Sequence, residues 1–140
     1  MLPKYRRMPW WLAQVAGKDR FLTIHPWIFT PYSQPTITVE PKIQRHEEHH
    51  WRRQKAMGLL NYAFHYAKSI LWRLEEEAWA TACAVKGLNE QDTKYEINYI
   101  ASDFAQGFYG WFGGRLPYLF VVFEINLMIK EGKGDEAGNA

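Results

Sequence analysis

A single cysteine in 140 residues, Cys83, excludes an internal disulfide, and its neighbours Ala82, Ala84 and Val85 mark it as a small packing residue. The chain has no glycine-rich phosphate loop, dinucleotide fingerprint, G-x-S-x-G elbow or zinc-ribbon spacing, so the enzyme classes that such motifs announce are not indicated. No apolar run near the N-terminus resembles a secretory signal, and no internal repeat occurs. Net charge is only +2, but it is unevenly placed: Lys4, Arg6, Arg7, Lys18 and Arg20 meet only Asp19 at the start of the chain. A basic, acid-poor start resembles an organelle-targeting leader, although Pro3, Pro9 and the pair Trp10 and Trp11 spoil an amphipathic helix there. The other reading is a basic arm that meets anionic headgroups, RNA or an acidic neighbour.

What is present divides the chain into four parts: an arm over 1–41, a helical region over 42–103, an apolar span over 104–130 and a polar tail over 131–140. Pro3, Pro9, Pro26, Pro31, Pro35 and Pro41 punctuate the first part and break helices and central strands alike, which predicts an extended arm. Trp10, Trp11, Phe21, Trp27, Phe29 and Tyr32 would be poorly hidden on such an arm, so partner chains are expected to cover it.

From Lys42 to Lys86 the pattern predicts one long amphipathic helix, with Pro41 in its first turn and Gly87 as its C-cap. Leu60, Ala63, Phe64, Ala67, Leu71, Leu74, Ala78, Ala82 and Val85 recur at three- and four-residue steps and draw an apolar stripe. Arg52, Arg53 and Lys55 are candidates for contact with a partner or with anionic lipid, and the nearby Trp and Tyr rings suit a headgroup layer. An ordinary amphipathic helix packed on other proteins is the alternative.

The stretch Phe104 to Ile129 is apolar enough to cross a bilayer, and as a helix it would reach about 39 Å against about 30 Å of hydrocarbon. Gly107, Gly110 and Gly114 fall on one seam, Gly113 adjoins it, and Gly110 to Gly114 is the G-x-x-x-G spacing that lets two membrane helices approach. Arg115 and Glu124, about 13.5 Å apart along the axis, cannot pair with each other and each needs its own partner. Pro117 predicts a kink beside the seam. A buried helix of a folded domain, or two short strands around Gly113 and Gly114, are the competing readings.

One catalytic-looking motif stands out. His46-Glu47-Glu48-His49-His50 satisfies H-E-x-x-H, a pattern that supplies two zinc ligands from one helix face. On a continuous helix, however, Glu75, Glu76 and Glu77 would lie nearly 37 Å beyond His50, too far to supply a third ligand. Arg45, Arg52 and Arg53 also add positive charge nearby. The expectation is a charged, solvated helix start with no metal or other cofactor and no catalysis.

The run Phe108-Tyr109-Gly110-Trp111-Phe112-Gly113-Gly114-Arg115 resembles the signature in the membrane helix of subunit g of the mitochondrial F-type ATP synthase. It departs in having Trp111 where the family tends to carry an acidic residue, one residue fewer between Tyr109 and the first glycine, and a chain that continues well past the motif. The resemblance implies a mainly α chain: a non-catalytic Fo subunit of the mitochondrial inner membrane, paired with a subunit e-like helix through Gly110 and Gly114 and with no nucleic-acid partner. Arg115 would be the basic flank of the seam. An accessory subunit of another respiratory complex, or a peripheral organellar ribosomal assembly protein, remains the alternative.

Overall fold

A computed structural model describes residues 2–34, 38–107 and 114–135. Four short elements come first: β1 (Lys4–Arg7), α1 (Trp10–Ala16), β2 (Leu22–Ile24) and β3 (Trp27–Thr30). Five longer helices follow: α2 (Pro41–Met57), α3 (Leu59–Lys68), α4 (Ile70–Val85), α5 (Glu90–Ala105) and α6 (Tyr118–Lys130). A 3-10 turn at Lys133–Asp135 ends the described chain.

The expected extended arm is instead folded over residues 4–30. Its three strands form a sheet in the order β1-β3-β2, with β1 parallel and β2 antiparallel to β3. The prolines do not prevent this because they sit between elements: Pro3 precedes β1, Pro9 is the N-cap of α1, Pro26 lies between β2 and β3, and Pro31 follows β3. Met8, Ala13 and Phe29 are buried together, flanked by Leu12, Leu22 and Ile24, so the region has a small core of its own. Gln54 of α2 completes the sheet. Its side-chain oxygen accepts from the His25 N–H at 2.7 Å, and its side-chain nitrogen donates to the Thr23 carbonyl at 2.9 Å. One glutamine amide thus does for the outer edge of β2 what a further strand would do with its backbone.

The single helix expected over 42–86 is three helices. Its outer limits agree, since Pro41 opens α2 at the first helical position and α4 stops at Val85 ahead of Gly87. Two interior breaks were not anticipated. Gly58 has φ +86°, a conformation that favours glycine, and it ends α2 and opens α3. Ser69 leaves helical geometry at φ −132° and its hydroxyl caps α4 by accepting from the Trp72 N–H at 3.2 Å. The chain then doubles back, and α4 packs along α2.

Two arginines satisfy helix ends across these breaks. Arg73 donates to the carbonyls of Tyr66 and Ala67 at the end of α3, and Arg45 donates to those of Cys83 and Ala84 at the end of α4. Doubling back also reverses part of the expected stripe: Leu74, Ala78, Ala82 and Val85 are buried, but Leu60, Phe64 and Leu71 face outward while Tyr62 and Arg73 turn inward.

The expected membrane span is overturned. No described helix is long and apolar enough to cross a membrane. α5 ends at Ala105, Gly107 follows at φ +79°, Gly114 stands at φ +98°, and α6 is 13 residues long, about 20 Å at the usual helical rise. Gly107 and Gly114 therefore share no helical seam. Gly110, Gly113 and the rest of 108–113 lie outside the described residues. Pro117 kinks nothing, because it is the N-cap of α6. The apolar character of 104–129 has another use: Phe104, Val121 and Ile125 pack with Leu74, Ala78, Ile97, Ile100 and Ala101 in the main core, where α4, α5 and α6 meet.

Candidate functional site

Doubling back at Gly58 and Ser69 brings α4 against α2, so Glu76 and Glu77 face the histidines that a straight helix would have held far away. His46 and His50, four residues apart, share one face of α2, with ring centroids 4.9 Å apart. Glu77 lies between them: one carboxylate oxygen is 3.1 Å from His46 Nε2 and the other 3.4 Å from His50 Nε2. Glu76 takes the deeper side. Its Oε1 is 2.9 Å from His49 Nε2 and 3.4 Å from His50 Nδ1, and its Oε2 accepts from Arg53 Nε at 3.1 Å. The His49 and Glu76 atoms are close but out of line, and His49 Nε2, fully buried, makes no hydrogen bond.

Two tyrosines of α3 close the cluster. The Tyr62 hydroxyl lies 3.0 Å from His50 Nδ1, and the Tyr66 hydroxyl donates to Glu77 Oε1 at 3.0 Å. Burial pushes both phenols well above their ordinary pKa, and the neighbouring carboxylates add to it, so both stay protonated and available as donors. Burial alone would lower the His50 imidazole, but Glu77 and Glu76 outweigh it and hold the pKa well above the usual histidine value. His49 goes the other way, held down to about 4 by burial against the pull of Glu76. Burial opposes ionisation of Glu76 and Glu77, yet the adjacent imidazoles hold both below the usual carboxylate range, Glu76 at about 2.

The cluster is reachable. A cleft of about 710 Å³ runs between α1, β2, α2 and α3, with apolar walls that include Leu12, Val15 and Leu22, and it extends to His46, His50 and Glu77. Glu47 lines the same cleft and accepts from the Thr23 hydroxyl at 2.7 Å. Two triads bring their ligand atoms within 4.8 Å of one another, a grouping that could hold a metal ion: His46, His50 and Glu77, and His49, His50 and Glu76. The motif was legible in sequence, but its third ligand was not, because only the breaks at Gly58 and Ser69 return α4 to α2. Gly58 and Ser69, twelve residues and one residue before Ile70 at the start of α4, were the available signal.

The other candidate contact residues are placed separately. Arg52 pairs with Glu48 one turn away at 3.2 Å, and Arg53 belongs to the cluster through Glu76 and lies over the Trp79 ring. Lys55 sits over the Trp51 ring. Arg115 is exposed, with its side chain beside Gly107, and Glu124 is half-buried on α6, so the structure brings neither into the cluster.

A second feature lies on the surface. α6 buries Val121 and Ile125, while Leu119, Phe123 and Leu127 recur at four-residue steps on the opposite side, with Leu119 78 % and Phe123 61 % exposed. Leu60 and Phe64 form a similar bare pair on α3, Leu60 at 86 % exposure, and Trp10 and Trp11 stand exposed on α1. No family model, curated protein or solved structure matches this chain.

Proposed function

We propose that the chain is a non-catalytic accessory subunit that docks on a larger protein assembly through α6. The observation that carries this reading is the stripe Leu119, Phe123 and Leu127, three large apolar side chains exposed on the side of α6 away from the core, with Asn126 and Lys130 exposed beside them. A helix that is hydrophobic around most of its circumference is normally covered on all sides. Water is a poor neighbour for it, and the partner this face suits is an apolar helix or groove of another protein. Leu60 and Phe64 on α3 and the two tryptophans of α1 offer further area of the same kind. The inner-membrane energy-converting complexes, ATP synthase first, are the assemblies to examine, with this chain attached to their surface through packed helices.

The test is native electrophoresis of gently solubilised cells, following the chain by antibody. The wild-type chain should migrate with a large complex, and Leu119→Glu with Phe123→Glu should release it without loss of helical circular dichroism, because both side chains already face outward. Migration of the wild-type chain as a free 16.5 kDa protein, unchanged by the double substitution, would dismiss the docking reading.

A further inference from the structure

We propose that His46, His50 and Glu77 bind a divalent transition-metal ion of the zinc class, with water or another oxygen ligand reaching it from the cleft. Imidazole nitrogen and carboxylate oxygen bind zinc at about 2.0 to 2.2 Å, so neighbouring donors in a tetrahedral shell stand roughly 3.3 to 3.5 Å apart. His46 Nε2 stands 3.1 Å from one Glu77 oxygen and His50 Nε2 stands 3.4 Å from the other, both close to that spacing, and with one donor atom from each residue the three lie within 4.8 Å of one another. His46 and His50 are one helical turn apart on α2, and Glu77 comes from α4 packed alongside. The donors therefore stand on two rigid elements with no loop between them and the site.

The surroundings are those of a ligand shell with outer support. His50 Nδ1 faces Glu76 Oε1 and the Tyr62 hydroxyl, which turns Nε2 toward His46 and Glu77. A carboxylate behind the far nitrogen fixes the ring and raises its basicity as a ligand. Glu76 is itself held by Arg53, so the supporting anion is already matched, and Glu77 is left to face the cation. Tyr66 supports Glu77 in the same way through its hydroxyl. The arginines that argue against a dication on sequence grounds point elsewhere: Arg45 to the end of α4, Arg52 to Glu48 and Arg53 to Glu76. The triad of His49, His50 and Glu76 is the weaker choice, because it is fully buried and the Arg53 guanidinium sits on its carboxylate. The cleft reaches the first triad and provides an entry path.

The experiment uses the full chain, stripped with a chelator, shown to be helical by circular dichroism, and titrated with zinc alone by calorimetry and with cobalt(II) by visible absorption. One zinc per chain is expected, with a cobalt spectrum of nitrogen and oxygen ligation. Glu76→Gln, which removes the carboxylate behind His50 Nδ1 and leaves the three proposed ligands in place, should weaken binding by about 10- to 100-fold in a chain shown to be folded. His46→Ala and Glu77→Gln should each weaken it further and abolish the cobalt spectrum. His46 is half-buried at the cleft wall, so its variant serves if removal of the buried carboxylate prevents folding. No zinc bound by the folded wild-type chain, or equal affinity in His46→Ala, would overturn the site and leave a network of ion pairs joining α2 to α4. Neither result bears on docking through α6, which lies outside the cluster.

Discussion

His49 and His50 are neighbours in sequence and opposites in protonation. His49, fully buried, is held down to about 4, while two carboxylates hold His50 well above the usual value. For the metal-free chain the consequences for stability have definite signs. The His49 pKa is lower folded than its unfolded value of about 6.5, so folding is penalised as pH falls below 6.5 toward 4. Glu76, held down to about 2, contributes stability above its unfolded value near 4.5 and loses it as pH falls toward 2. His50 is raised, so its contribution is complete below 6.5 and is lost as pH climbs through its folded value. Thermal melts of chelator-treated protein should therefore give a melting temperature that falls on both sides of near-neutral pH. His49→Gln should flatten the limb between pH 6.5 and 4 while leaving the alkaline limb in place; an unchanged acid limb would show that His49 is not the group responsible. At this scale the sequence was partly readable. The spacing of His46 and His50 was visible as a ligand pair, whereas the partnership of His50 with Glu76 and Glu77 depends on a chain reversal that residue types alone do not express.

At the scale of elements, the outer limits of the 42–86 region were legible and its interior breaks were not. Pro41 and Gly87 act through local backbone chemistry, which a sequence displays directly. Gly58 and Ser69 are ambiguous, since isolated small residues are tolerated inside helices and only tertiary packing decides whether the chain turns there. Gly58 offers a clean test. Its φ of +86° is unfavourable for any residue with a side chain, yet an added Cβ would meet nothing within 4 Å. Gly58→Ala should therefore cost about 1 to 3 kcal/mol through backbone strain alone, read as a lower urea midpoint with an unchanged slope. A neutral or stabilising effect would mean that the junction of α2 and α3 relaxes into a continuous helix. The same ambiguity explains the N-terminal region, where prolines read as keeping the arm extended are the punctuation between its short elements.

For the molecule as a whole, the apolar composition of 104–129 was read as membrane affinity because length and hydrophobicity do not distinguish a bilayer from a protein interior. The turn at Gly107, with Pro117 capping a new helix, settles the matter for the described residues by shortening the helices on either side. A mainly helical architecture was therefore legible, while the small sheet and the three-helix core were not. That sheet also gives the basic N-terminus a different meaning. β2 has its outer edge occupied by Gln54, but β1 presents the other edge of the sheet with the sequence Lys-Tyr-Arg-Arg, every residue of it exposed. An uncovered strand is a template for pairing with another chain, and closely set cations are a common guard against it. Lys4 and Arg6 set two cations along that edge, while Arg7 donates to the Tyr32 carbonyl at 2.8 Å, and such charges would oppose pairing with a second copy. Replacing Lys4 and Arg6 by threonine should leave the chain folded in dilute solution but produce concentration-dependent light scattering that the wild-type chain does not show at the same salt, and unchanged scattering would dismiss this role for the two cations.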